Sequence, residues 1–161
     1  MQAIKVHPAL EPLSWLIGHW KSVKACGHYP TIKPFTYCEE LTFESLGQPL
    51  LNYSSKTWHP IEKHPMHFES GFLRINPGTC NVAFMVSHKF GVVSLEEGTV
   101  TGNTLNLRSV TVNHMSFSKE PTVTGIARSY EFFPDTQKLN LVVSMATSNT
   151  DLTEHLQVEY E

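Results

Sequence analysis

The sequence predicts an all-β fold, and three observations carry that reading. Apolar and polar residues alternate at period two over short runs. The runs are rich in β-branched and aromatic residues. Gly, Pro and Asn punctuate them almost from end to end. Together these features mark strands joined by turns, not helices. Many sequential strands imply an antiparallel sheet, closed into a barrel or folded into two layers.

The first element is the exception. Leu10, Leu13, Leu16 and Ile17, with Pro12 and Trp15 among them, form a helical patch too short for a domain. It is expected as a lid or plug at one barrel end. Residues 18–24 make the first strand. In the second, Phe35, Tyr37, Glu39, Leu41 and Phe43 recur at period two until Gly47-Gln48-Pro49 breaks the run. Residues 50–58 follow, then a loop marked by His59-Pro60 and His64-Pro65, because a residue before proline is driven extended. Residues 66–75 end at Asn76-Pro77-Gly78. Residues 80–86, 91–97 and 100–112 come next, the last interrupted at Gly102-Asn103. Residues 113–120 are the expected longer loop. Residues 122–133 lie between two prolines, and 139–146 and 152–160 finish the chain. That makes ten segments. A closed barrel widens with strand number, and ten strands leave more room than the eight that side chains nearly fill. An internal cavity is therefore expected.

The 161 residues suit a single domain over 1–161. The 40% hydrophobic and 17% charged composition supports a folded core. A net charge of −3 lacks the basic surplus of a nucleic-acid binder. No apolar run is long enough to span a membrane, and the first residues do not read as a signal peptide. Cys26, Cys38 and Cys80 are odd in number and widely spaced, which argues against a disulfide framework or a thiolate zinc site. A reducing, cytoplasmic setting fits, and the nucleus is compatible. The commonest hydrolase, nucleotide-binding and metalloprotease motifs are missing from the sequence.

The chemistry therefore rests on histidines. His59, His64 and His67 fall within nine residues, a spacing open to zinc or copper and equally to solvated loop positions. His67 differs because it begins a strand. His155, near the end of the chain, could ligate a haem iron if it faced a cavity. Strict alternation puts it with Thr153, Gln157 and Glu159, opposite Leu152, Leu156, Val158 and Tyr160. Either a bulge shifts the register or the apolar face is not the cavity face there. Gly18-His19-Trp20 suits a barrel entry and also an ordinary core tryptophan.

A set of motifs goes further. Glu11-Pro12-Leu13-Ser14-Trp15, Gly18-His19-Trp20, Tyr29-Pro30-Thr31-Ile32, Gly47-Gln48-Pro49, Pro65-Met66-His67, Ser144-Met145-Ala146-Thr147 and His155-Leu156 occur in this order. With them the chain resembles the nitrobindin family, in particular the nitrobindin domains that end animal THAP-domain-containing proteins. No THAP-type zinc finger precedes these motifs, so DNA binding is not carried over. The resemblance implies a ten-stranded antiparallel up-and-down barrel, like that of fatty-acid-binding proteins. It implies ferric haem b, nitric oxide binding and isomerisation of peroxynitrite to nitrate. The alternative is a non-catalytic carrier or sensor of haem, nitric oxide or a small apolar ligand. His155 matches the axial iron ligand and Thr31 a haem-contacting position. Arg128 is a match that could face a propionate or could pair strands, and His67 matches a distal position less well. A homodimer is compatible with the family. One departure stands out: Ser22 and Lys24 replace two glycines of the family's first-strand pattern.

Overall fold

A computed structural model describes residues 4–161 of the chain. A 3-10 helix, Pro8–Leu16, precedes eleven strand segments. Its apolar residues fall at intervals of three, and a 3-10 helix turns once per three residues. Leu10, Leu13 and Leu16 therefore share one face, and all three are fully buried. The helix plugs one end of the barrel, with Trp15 stacked on Phe132. The Trp20 indole N–H donates to the Leu16 carbonyl at 2.9 Å, tying the plug to the first strand.

That strand, β1, runs Gly18–Tyr29. It is longer than the sequence indicates, because its second half pairs with the last strand as well as the next. Strands β2 (Ile32–Thr36) and β3 (Cys38–Ser45) are one stave interrupted at Tyr37, since both pair antiparallel to β1 in nearly continuous register. Then come β4 (Leu50–Trp58), β5 (Pro65–Ile75), β6 (Asn81–His88), β7 (Val92–Thr101) and β8 (Thr104–His114). The chain finishes with β9 (Val123–Phe133), β10 (Lys138–Thr147) and β11 (Thr150–Tyr160). Each segment pairs with its neighbour, and β11 returns to β1. The expected ten-stranded antiparallel barrel is thus closed, which leaves no long edge exposed.

Two local details differ from the sequence reading. The β7–β8 turn lies at Gly102-Asn103, and Val100 and Thr101 belong to β7. Gly98 stays inside β7 because a β-carbon there would collide with the Asn106 carbonyl of β8. Strand β1 also forms without the two glycines: Ser22 Oγ accepts from the Glu39 N–H at 2.8 Å, and a bulge takes up Ser22–Lys24. Among the described residues, no helix is long and apolar enough to cross a membrane.

Candidate functional site

The half of the barrel away from the plug holds a cavity of about 290 Å³ that opens to solvent. That lies at the small end of the roughly 300–1,000 Å³ usual for ligand sites. Its walls are mostly apolar, from Phe35, Met66, Ile126, Leu141, Val143 and Met145. Its floor is polar.

His155 lines this cavity. A bulge puts it there. Leu139 to Val143 pair with Tyr160 to Leu156 in one register, and Ser144 and Met145 pair with Glu154 and Thr153 one residue out of step. His155 is the extra residue. Leu156 and His155 can then both face inward, and Leu152 turns out to 39% exposure. The shift of register is therefore the answer to the alternation conflict at His155.

The ring is oriented as a ligand requires. Its Nδ1 lies 2.9 Å from the His28 carbonyl oxygen of β1. A carbonyl only accepts, so the proton sits on Nδ1 and the Nε2 lone pair is free. Tyr29 and Phe35 flank the ring at centroid distances of 5.1 and 6.2 Å. Burial holds the His155 pKa below its ordinary value, against the opposing effect of the His28 bond. A neutral imidazole is the form that binds a metal.

Thr31 is exposed in the β1–β2 turn, two residues beyond Tyr29, and is not on the cavity wall. Arg128 is on the floor and buried. Its Nε donates to Glu96 at 2.8 Å and its Nη1 to Glu69 at 3.0 Å, so two carboxylates already share its charge. His67 does share the cavity with His155, from β5 on the far side of the barrel.

The rest of the floor went unread in the sequence. Burial opposes ionisation of Glu69, but Arg128, His67 and His88 outweigh it and hold the carboxyl well below the usual range. Glu39 goes the other way: burial raises its pKa although Ser55 and Tyr160 donate to it at 2.6 and 2.8 Å. The Tyr37 hydroxyl is buried beside the cavity with no hydrogen-bond partner. The available signal was parity. Glu39, Glu69, His88 and Arg128 each occupy the inward phase of a strand whose other inward residues are apolar, apart from His67 and Gly71 beside Glu69.

The apolar walls suit a flat apolar cofactor, and the free imidazole nitrogen of His155 is a donor atom within them. Comparison with known proteins identifies a haem-binding domain. Residues 9–161 match the family described as THAP4-like, heme-binding beta-barrel domain. The human protein named peroxynitrite isomerase THAP4 is 44% identical over 158 residues, which is 98% of this chain and 27% of that protein. The chain therefore spans about a quarter of the length of such animal relatives. An Arabidopsis thaliana protein, also named a peroxynitrite isomerase, is 36% identical over 94% of this chain and 87% of its own. The crystal structure of Rv2717c from Mycobacterium tuberculosis superposes with a TM-score of 0.86 at 32% identity, covering 98% of both chains. With a family match over residues 9–161 and the same barrel, this chain belongs to the THAP4-like heme-binding β-barrel family, the nitrobindins.

Proposed function

We propose that the chain binds ferric haem b through His155 Nε2, binds nitric oxide at the same centre and isomerises peroxynitrite to nitrate. The observation that carries this reading is the His155–His28 bond, which frees Nε2 inside an apolar cavity. The names of the relatives supply the reaction. When bound, ferric haem supplies a Lewis-acidic iron with one position left for a small ligand.

The protein's own part is positioning and exclusion. His28 fixes the tautomer and the ring angle of His155 and raises its basicity. Phe35, Met66, Val143 and Met145 line the cavity with apolar surface that would seat the macrocycle, which in turn would displace water from the cavity. Tyr37 lines the cavity and its Oη is a donor with no acceptor of its own, so a side-chain shift that exposes it would offer it to an anionic oxygen. Three of the five Arg128 N–H groups are committed to Glu69 and Glu96, which leaves two for a haem carboxylate. Thr31, exposed in the turn that follows Tyr29 and off the cavity wall, would meet the cofactor only at an edge that projects from the cavity.

Reconstitution with hemin should give a ferric Soret band that His155→Ala removes. An unchanged spectrum and haem affinity in the variant would refute the ligand assignment. The apolar wall also suits a carrier or sensor without turnover. Peroxynitrite decay with and without the haem-loaded protein separates the two, since equal rates leave only the carrier.

We also read the chain as one domain, working in the cytoplasm or nucleus, where free Cys26, Cys38 and Cys80 would stay reduced. A second copy could cover the row of exposed Phe72, half-buried Met85 and exposed Leu95 on the outer face of β5, β6 and β7. Light scattering of Leu95→Glu, expected as a monomer, tests the homodimer.

A further inference from the structure

Across the barrel from His155, the cavity floor holds a second group of potential ligands. His67 Nε2 lies 3.1 Å and His88 Nδ1 3.0 Å from the same oxygen, Glu69 Oε1. The three donor atoms all fall within 4.8 Å of one another. We propose that His67, Glu69 and His88 bind one divalent transition-metal ion of the Fe(II), Co(II) or Zn(II) class, separate from the haem iron.

The geometry points there first. An ion about 2.0–2.2 Å from nitrogen and oxygen ligands, at ordinary angles, needs neighbouring donors roughly 3.0–3.5 Å apart. The two measured separations lie in that interval. Two histidines and one carboxylate are also a donor set that such ions favour, with positions left open for other ligands.

The hydrogen bonds around His88 point the same way independently. Ser94 Oγ donates to Glu96 Oε2 at 3.0 Å. Its oxygen must then accept from His88 Nε2, which is 3.0 Å away. A neutral His88 protonated on Nε2 presents a bare lone pair at Nδ1. That lone pair faces Glu69 Oε1, an oxygen of an ionised carboxylate, at 3.0 Å. Two acceptors do not hold each other at this distance, so either Nδ1 carries a proton that it donates to Glu69 or a metal ion lies between the two atoms.

The outer contacts suit the ion. Glu69 divides its oxygens. Oε2 takes the Tyr53 hydroxyl at 2.9 Å and Arg128 Nη1 at 3.0 Å, and Oε1 is turned to both histidines, with Arg128 Nη2 only at 3.4 Å. Arg128 would repel a cation if it stood alone, but Glu96 also shares its charge. His88–Ser94–Glu96 is a relay of the kind that fixes a ligating histidine and makes it more basic. Access comes from the cavity, since the His67 side chain is 31% exposed and that of His88 only 3%.

The test uses chelator-stripped, haem-free protein titrated with Co(II), read by visible ligand-field absorption and by calorimetry. One Co(II) per chain is expected. His67→Ala and His88→Ala should each weaken it by tenfold or more. Ser94→Ala, which breaks the relay and leaves the ligands in place, should cost about 10–100-fold. His155→Ala and His59→Ala should bind as the parent does. The His59 control matters because His59, Glu62 and His64 form a second possible cluster on an exposed loop. Circular dichroism shows whether each variant folds, and His67→Ala, at the partly exposed end, decides the matter if His88→Ala does not. No stoichiometric Co(II) in the parent overturns the proposal and leaves the Nδ1 proton as the answer. So does binding that survives His67→Ala or is lost in His59→Ala or His155→Ala. The haem reading is untouched by any of these results.

Discussion

The plugged half of the barrel and its open half are built from the same ten staves, yet they are filled in opposite ways. In the plugged half Leu10, Leu13 and Leu16 descend from the helix onto Phe43, Tyr53, Phe84 and Tyr130, all buried to within 1%. Phe43 packs against Tyr53 at 5.0 Å and against Tyr130 at 5.8 Å between centroids. In the open half several inward residues, Met66, Met145 and Leu156 among them, are only partly buried because a cavity occupies the centre, although Ile126 and Leu141 on its wall are buried. Between the halves lies the polar layer of Glu39, Glu69, Glu96 and Arg128. One half secures the fold and the other is left free for a ligand, and the charged layer separates them.

The sharpest way to break this division is to remove its cation. Arg128→Ala leaves Glu69 and Glu96 buried without compensation, and a buried pair broken from one side costs about 3–5 kcal/mol. Urea unfolding should show this as the largest single loss. A loss under about 1 kcal/mol would mean that water reaches the layer and that it does not part the two halves.

The next contrast sets one half against the other. Leu13→Ala creates a void in a filled region and should cost about 2–5 kcal/mol. Met145→Ala only widens an existing cavity and should cost well under half as much. Equal losses in paired unfolding curves would show that the open half is as tightly packed as the plugged one.

The same contrast explains what could be read in the sequence. The strands were legible because their pattern is local: residues 50–58 are β4 to the residue. The plug was legible for the same reason, since the interval of three in Leu10, Leu13 and Leu16 needs no distant partner. The polar layer was not, because its partners come from separate strands. Arg128 meets Glu96 and Glu69 across 32 and 59 residues of chain. Glu39 on the apolar phase of its strand was a visible oddity, but nothing near it in sequence says that Tyr160 lies opposite. The placement of His155 was half legible. Alternation showed a conflict, and only pairing of β11 with β10 resolves it as a bulge. The strand β1 runs to Tyr29, past residue 24 where the sequence pattern ended it, because neighbours on both sides hold Ala25 to Gly27 in the sheet.

Acidity separates the two carboxylates of the layer. Glu69 has a lowered pKa, so its stabilising contribution is present above the unfolded value of about 4.3 and is lost as pH falls through the folded one. Glu39 has a raised pKa, so its contribution is full below the unfolded value and is lost as pH rises through the folded one. Glu69→Gln should therefore destabilise at pH 7 and less so in acid. Glu39→Gln should gain on the parent as pH rises from about 4 to 7. Denaturation midpoints for Glu39→Gln at about pH 4 and 7, and for Glu69→Gln from about pH 7 to well below 4, check this, and shifts of the same sign would mean that the two carboxylates share one environment.

The smallest expected effect is the most informative about the cavity. The Tyr37 hydroxyl is buried with no partner, and leaving such a group unsatisfied costs about 1–3 kcal/mol. In ligand-free protein, Tyr37→Phe removes that penalty and keeps the ring that packs on Phe35 at 5.8 Å. Its stability should rise by about 1 kcal/mol, the low end of that penalty. Haem or anion affinity should fall in the same variant, because the hydroxyl has its only use when the cavity is filled. A gain in stability with unchanged affinity would make Tyr37 part of the packed half. A loss of both would mean that the hydroxyl already has a partner in the ligand-free protein. The expected opposite signs, a more stable barrel that binds its ligand less well, are what a residue facing the open half should produce.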